Sequence, residues 1–149
     1  MKSTAYFYSL NRNHNLDLCI CNCIKHLYKK ENKIIIVSSD HKIEKLDKLL
    51  WTFEQNSFLP HKIYNDGDKI DTPILLLSLD YINKSEIFSE YKSIINNQAA
   101  ALLKITNDIN IYEFVDDDET NKSISRKKYL DYKKYNFTLI HKAYNEQTI

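Results

Sequence analysis

The segment Lys33-Ile-Ile-Ile-Val-Ser38 constrains this chain more than any other. Four β-branched residues in succession favour a strand, and no polar residue interrupts them. A strand with one wet face alternates apolar and polar residues. An unbroken run is apolar on both faces and belongs inside a parallel sheet covered by helices. Pro73-Ile-Leu-Leu-Leu-Ser78 has the same character, with its proline at the strand start, where a missing N–H does little harm. Tyr6-Phe-Tyr-Ser-Leu10 reads as a buried first strand and Ile109-Asn-Ile-Tyr-Glu-Phe-Val115 as a late one. Apolar residues at helical spacing fall between the first two strands, at Leu16, Ile20, Cys23, Ile24 and Leu27, ahead of a basic end at Lys29-Lys30. They recur at Ile43, Leu46, Leu49, Leu50 and Phe53, with Asp40 as the expected cap. Strand–helix–strand–helix is an α/β signature. A length of 149 residues suits a single domain, 1–149, with a sizeable core.

The rest of the chain is less regular. Asn56-Ser-Phe-Leu-Pro-His61 interrupts the pattern, and Asn65-Asp-Gly-Asp68 is a turn. Residues 80–97 read as a loop followed by a strand near Lys92-Ser-Ile-Ile95. Gln98-Ala-Ala-Ala-Leu-Leu-Lys104 predicts a short helix. A last helix runs from Thr120 to about Tyr135, behind the acidic run Asp116-Asp-Asp-Glu119.

Several function classes are excluded or disfavoured. There is one glycine, Gly67, so neither a phosphate-cradling loop nor a dinucleotide fingerprint can be built. No nucleophile motif or zinc-protease helix occurs, and the sequence names no catalytic residue and no cofactor. His14, His26, His41, His61 and His141 are scattered. Cys19, Cys21 and Cys23 do not have zinc-finger spacing; on a helix Cys19 and Cys23 share a face and Cys21 points away. They read as reduced packing residues, and no metal site is expected. The acids 116–119 read as complements to a helix dipole rather than as cation ligands. The net charge of +1 is small for a generic polyanion binder. No apolar run of membrane length exists and the N-terminus has no signal-peptide pattern, so a cytoplasmic protein without a membrane partner is expected.

Two segments point to binding. Lys122, Arg126, Tyr129 and Lys133 recur at i, i+4, i+7 and i+11, and at about 100° per residue they form one narrow stripe. Ile124, Tyr132 and Tyr135 lie on another side and can face the core. Three cations around an aromatic ring make a dock for an acidic peptide or its terminal carboxylate. Arg126 is one of only two arginines in the chain, and arginine grips a carboxylate with two N–H groups. The bland alternative is a solvated lysine face. The second segment, Leu49-Leu-Trp-Thr-Phe-Glu-Gln-Asn-Ser-Phe-Leu-Pro-His61, gathers Trp51, Phe58 and Pro60. Large aromatics are enriched at interfaces, though the same residues could close a core beneath a loop.

These segments, in this order, resemble the chi subunit of bacterial DNA polymerase III. The resemblance rests on Ala5-Tyr-Phe-Tyr-Ser-Leu10, Lys33-Ile-Ile-Ile-Val-Ser38, Leu46-Asp-Lys-Leu-Leu-Trp-Thr-Phe53 with Ser57-Phe-Leu-Pro-His61, and Tyr112-Glu-Phe-Val115. It closes with Arg126-Lys-Lys-Tyr-Leu-Asp-Tyr-Lys133 and Asn136-Phe-Thr-Leu139. The pattern L-D-x-x-L-W…S-F-x-P-H is the most specific part, and residues 80–108 contribute almost nothing. The resemblance implies a three-layer α/β/α sandwich around a mostly parallel or mixed sheet, Rossmann-like but without a nucleotide loop. It also implies a non-catalytic replisome adaptor. Such a protein links the clamp loader, through the psi subunit, to the acidic C-terminal tail of single-stranded-DNA-binding protein, and reaches DNA mainly indirectly. It can pair instead with an XPD-like helicase through the surface that psi would occupy. Carried over by position, Lys122, Arg126, Tyr129 and Lys133 would bind the tail. Leu130 stands where the family can place a basic residue. Trp51, Phe58 and Pro60 would form the psi or helicase surface. The competing reading is a direct single-stranded nucleic-acid-binding module, in which the same helix contacts phosphates.

Overall fold

The computed structural model describes residues 3–30, 33–103 and 108–147. Its centre is one seven-stranded sheet in the order β3-β4-β2-β5-β6-β1-β7. The strands are β1 (Thr4–Ser9), β2 (Ile34–Ser38), β3 (His61–Ile63), β4 (Ile74–Ser78), β5 (Ser93–Asn96), β6 (Asn110–Val115) and β7 (Thr138–Ala143). Every pairing is parallel. The helices are α1 (Leu16–Lys29), α2 (Asp40–Thr52), the single turn α3 (Ser85–Phe88) and α4 (Glu119–Lys134).

The unbroken apolar runs do what their composition requires. All five residues of β2 and all five of β4 are buried, because both strands are internal and covered on each face. Ile34, Ile36, Ile74 and Leu76 pack toward α1 and α2. Ile35, Val37, Leu75 and Leu77 pack toward the opposite layer, which includes Ile87 and Phe88 of α3 and Tyr132 of α4. The result is the expected three-layer α/β/α arrangement, with the sheet parallel throughout the described residues.

Local signals set the helix starts. The Asn15 side chain accepts from the Leu18 N–H at 3.1 Å and caps α1. The cap of α2 is Ser39 rather than Asp40. Asp40 is instead the first helical residue, where a carboxylate suits the dipole, and it accepts a hydrogen bond from the Ser78 hydroxyl at the end of β4. The turn at residues 65–68 closes with Asp68 N–H to Asn65 C=O, and Gly67 takes φ +86°, a conformation that favours glycine.

The structure departs from the sequence reading at four other places. Cys21 does not point away from the core: Cys19, Cys21 and Cys23 are all buried and unbridged. The flank of α1 that carries Cys21 faces α2, as the pairs Asp17–Lys45 (3.2 Å) and Lys25–Glu54 (2.6 Å) on either side of it show. Residues 98–103 form no helix, and Lys104 lies outside the described residues. Groups that a helix would need are engaged elsewhere: the Ala100 carbonyl accepts from the Asn96 amide, and the Leu102 N–H donates to the Tyr132 hydroxyl. Tyr135 caps α4 and is 56% exposed, and Ile124 is only half-buried, so of the three Tyr132 is the one that joins the core. The edge strands β3 and β7 were not anticipated. Each pairs on one side only, and β7 is largely exposed.

Candidate peptide-binding pocket and aromatic corner

Of the acidic run 116–119, Asp117, Asp118 and Glu119 serve α4 itself. Asp118 caps the helix, accepting from the Asn121 N–H at 2.8 Å, and that bond holds its carboxyl below the usual range. Asp117 pairs with Lys122 at 3.0 Å, and this hydrogen bond raises the Lys122 ammonium above its ordinary range. No cluster of three or more candidate metal ligands occurs among the described residues.

The rotation of α4 is fixed from below. The register aligns Glu113, Phe7 and His141 across neighbouring strands, and Asn96 at the end of β5 reaches Glu113 by a hydrogen bond, on the face that α4 covers. Glu113 is 1% exposed. It accepts from Lys128 at 2.7 Å, from Tyr132 at 2.6 Å and from Asn96 at 2.7 Å. Burial pushes the Glu113 carboxyl up, and Lys128, Tyr132 and Asn96 pull it back in part. Burial also drives the Tyr132 hydroxyl well up, reinforced by the Glu113 charge, so it stays a donor. Phe7 packs between the α4 rings, 5.5 Å from Tyr129 and 6.0 Å from Tyr132.

With Lys128 and Tyr132 held down, the predicted stripe turns toward the carboxyl ends of β1 and β6. A pocket of about 590 Å³ opens there, lined by Phe7, Leu10, Val115, Tyr129, Leu130 and the ends of the cations. Crevices beyond the carboxyl ends of parallel strands are where open α/β sheets bind ligands. Lys122, Arg126 and Tyr129 all line the pocket, and Lys133 does not. Arg126 is exposed and has no ion-pair partner among the described residues. Opposite α4 the rim carries Ser9 and His141, whose Oγ and Nε2 lie 2.6 Å apart. The apolar floor and the Ser9–His141 rim escaped the sequence reading. They depend on the register of β1 with β7, and β7 had no strong strand signal.

The second segment folds into an exposed corner rather than a core. Trp51 is 52% and Phe58 71% exposed, and their rings lie 6.1 Å apart. Pro60 is half-buried beside them in the chain. His61 is buried beneath, its ring 4.3 Å from that of Trp51 and its Nε2 3.3 Å from the Asp47 carboxylate. The Asp, Trp, Phe, Pro and His of the most specific pattern therefore share one corner, made by the end of α2, the loop after it and the start of β3.

A family model for the DNA polymerase III chi subunit, HolC, matches residues 1–140. The chain belongs to the DNA polymerase III chi subunit family. DNA polymerase III subunit chi of Haemophilus influenzae is 24% identical to it over 133 residues, spanning 87% of this chain and 89% of that protein. Among solved structures, the C-terminal part of the Fun30 ATPase domain superposes with a TM-score of 0.52 at 16% identity. That match covers 76% of this chain and 47% of the other, so this chain spans under half of that structure, and the likeness is one of fold alone. Chi membership makes the chain a non-catalytic accessory component of the DNA polymerase III machinery. No helix among the described residues is long and apolar enough to cross a membrane.

Proposed function

We propose that this chi chain acts as one 1–149 unit that connects the polymerase accessory complex, through psi, to the acidic C-terminal tail of single-stranded-DNA-binding protein. One observation carries the reading. Three of the four stripe residues, Lys122, Arg126 and Tyr129, border an apolar pocket large enough for a terminal aromatic side chain. A tail that ends in an aromatic residue needs a cavity for the ring and cations for the terminal carboxylate and upstream acids. Arg126 is the anchor for the carboxylate, because Lys122 already shares its charge with Asp117. Lys133, outside the pocket, serves upstream acids only. Trp51, Phe58 and Pro60 are the surface for psi or, in its place, an XPD-like helicase. The corner is exposed and aromatic, as interface centres are.

The test is calorimetric titration with an acidic peptide ending in Pro-Phe, at low and moderate salt, against a control lacking the Phe. Binding that needs the Phe and weakens with salt supports the adaptor. No binding at either salt overturns the tail assignment. Tighter binding to bare single-stranded DNA than to the peptide would favour the direct nucleic-acid reading instead.

A further inference from the structure

The pocket beside α4 has two unlike walls. The helix wall carries the cations Lys122 and Arg126. The strand wall is made by Phe7, Ser9, Leu10, Val115 and His141, and of these only Ser9 and His141 have a side-chain hydrogen-bond donor. The sheet brings that pair together. Phe7 and Ser9 lie on one face of β1, and His141 stands opposite Phe7 on β7, so serine and imidazole are diagonal neighbours. Ser9 Oγ lies 2.6 Å from His141 Nε2. The end of β1 is pinned from both sides: the Leu10 N–H donates to the Val115 carbonyl and the Tyr144 N–H to the Ser9 carbonyl, each at 2.9 Å. The hydroxyl is therefore in place before any ligand arrives.

The pair has a donor to spare. A serine hydroxyl and an imidazole bring at least one O–H and one N–H, and the hydrogen bond between them uses one of these. The chain end of a docked peptide has a use for the other. With the ring of its last residue in the cavity, its carboxylate lies a single backbone unit away, at the rim between the walls. A carboxylate offers about four lone-pair sites, and an arginine fork fills two of them from one side. Lys122 divides its charge with Asp117, which leaves the far side of the carboxylate to the strand wall.

We propose that Ser9 is a specificity-determining residue of the pocket, its hydroxyl donating to the terminal carboxylate of the bound peptide across from Arg126. His141 is its positioning residue: with the peptide bound, the Nε2–H donates to Ser9 Oγ and turns the hydroxyl proton toward the ligand. Imidazole, hydroxyl and carboxylate then form one chain of hydrogen bonds polarised in a single direction, which strengthens each. The site reads a free chain end next to an aromatic ring, rather than negative charge in general. This rests on the proposed reading of the pocket as the dock of an acidic tail.

Calorimetric titration of the full chain with two peptides tests the proposal: the acidic peptide ending in Pro-Phe with its free carboxylate, and the same peptide closed as a C-terminal amide. Ser9→Ala should weaken the free acid about fivefold and the amide about twofold or less, because a hydrogen bond to a charged acceptor is the stronger one. Ser9→Thr keeps the hydroxyl at a strand position that suits a β-branched residue, and should bind the free acid as the wild type does. His141→Phe keeps a ring without an N–H and should weaken the free acid about threefold, whereas His141→Gln, whose amide can donate to Ser9, should recover part of that loss. The unfolding midpoint should stay at the wild-type value in all four variants. Equal losses for both peptides in Ser9→Ala, or no loss with the free acid, overturn the carboxylate contact and leave the dock standing. A loss in His141→Phe that His141→Gln does not ease overturns the positioning role. If the wild type binds neither peptide, the tail reading itself falls and the subsite falls with it.

Discussion

Under α4 and under the end of α2, a carboxylate meets a nitrogen-bearing side chain beneath an exposed aromatic residue, but the two settings differ in depth. Glu113 is 1% exposed and receives three donors, and the Lys128 side chain that crosses over it is 8% exposed. Asp47 keeps a 29% exposed side chain and meets one imidazole at 3.3 Å. The sealed pair sits inside a sheet-to-helix layer and sets the rotation of a whole helix. The half-open pair sits at a corner, between α2 and the strand that follows the loop. Depth thus separates a polar group that specifies architecture from one that adjusts a surface.

The largest expected effect tests that contrast directly. Lys128→Met leaves the Glu113 charge buried without its counter-ion and should cost about 3–5 kcal/mol in urea unfolding. The double variant Glu113→Gln/Lys128→Met should recover most of the loss. The Glu113 carboxyl already sits above its ordinary range because of burial, and removing Lys128 raises it further. The folded variant then binds a proton more readily than the unfolded chain does, so its stability should rise as pH falls from 8 toward 5. A variant whose stability is flat over that range would show that Glu113 stays ionised without Lys128, its charge held by the Tyr132 and Asn96 donors alone. The corner should behave otherwise: Trp51→Ala should reduce pairing with psi or the helicase by about 2 kcal/mol or more, as interface hot spots do, and leave peptide binding untouched. Equal loss of both would mean that the two regions are not independent.

Within the α4 stripe the effects should be graded. Arg126→Ala should weaken the acidic peptide about tenfold by calorimetry, since a charge-assisted bond is lost from an exposed residue, with no change in unfolding midpoint. Lys133→Ala should change affinity by about twofold or less at moderate salt, because screening leaves little of a charge outside the pocket. Equal effects of the two variants would mean that the tail lies along the helix rather than ending in the cavity.

What the sequence reveals and conceals follows the same division by depth. β2 and β4 are legible because double-sided burial demands an unbroken apolar run. β3 and β7 are not, because edge strands bury little and use mixed residues. Gln98-Ala-Ala-Ala-Leu-Leu looks helical from propensity alone, yet the Asn96 and Tyr132 side chains claim its backbone. The stripe was readable because periodicity alone brings Lys122, Arg126 and Tyr129 together. Lys128 was not: in a chain so rich in lysine, nothing distinguishes the one that dives beneath its helix from those that stay in water. Only the register of Glu113 with Phe7 reveals it.

The place of β1 in the sheet has a consequence for synthesis. The strand made first lies between β6 and β7, which are made last. As the chain leaves the ribosome, Tyr6, Phe7 and Tyr8 must wait, unpaired, until more than a hundred further residues have emerged. The pocket, whose walls come from β1, β6, α4 and β7, therefore cannot form until that whole span has emerged. A stalled or shortened product would carry an aromatic strand with two open edges, a target for chaperones before it could ever become a partner for the polymerase.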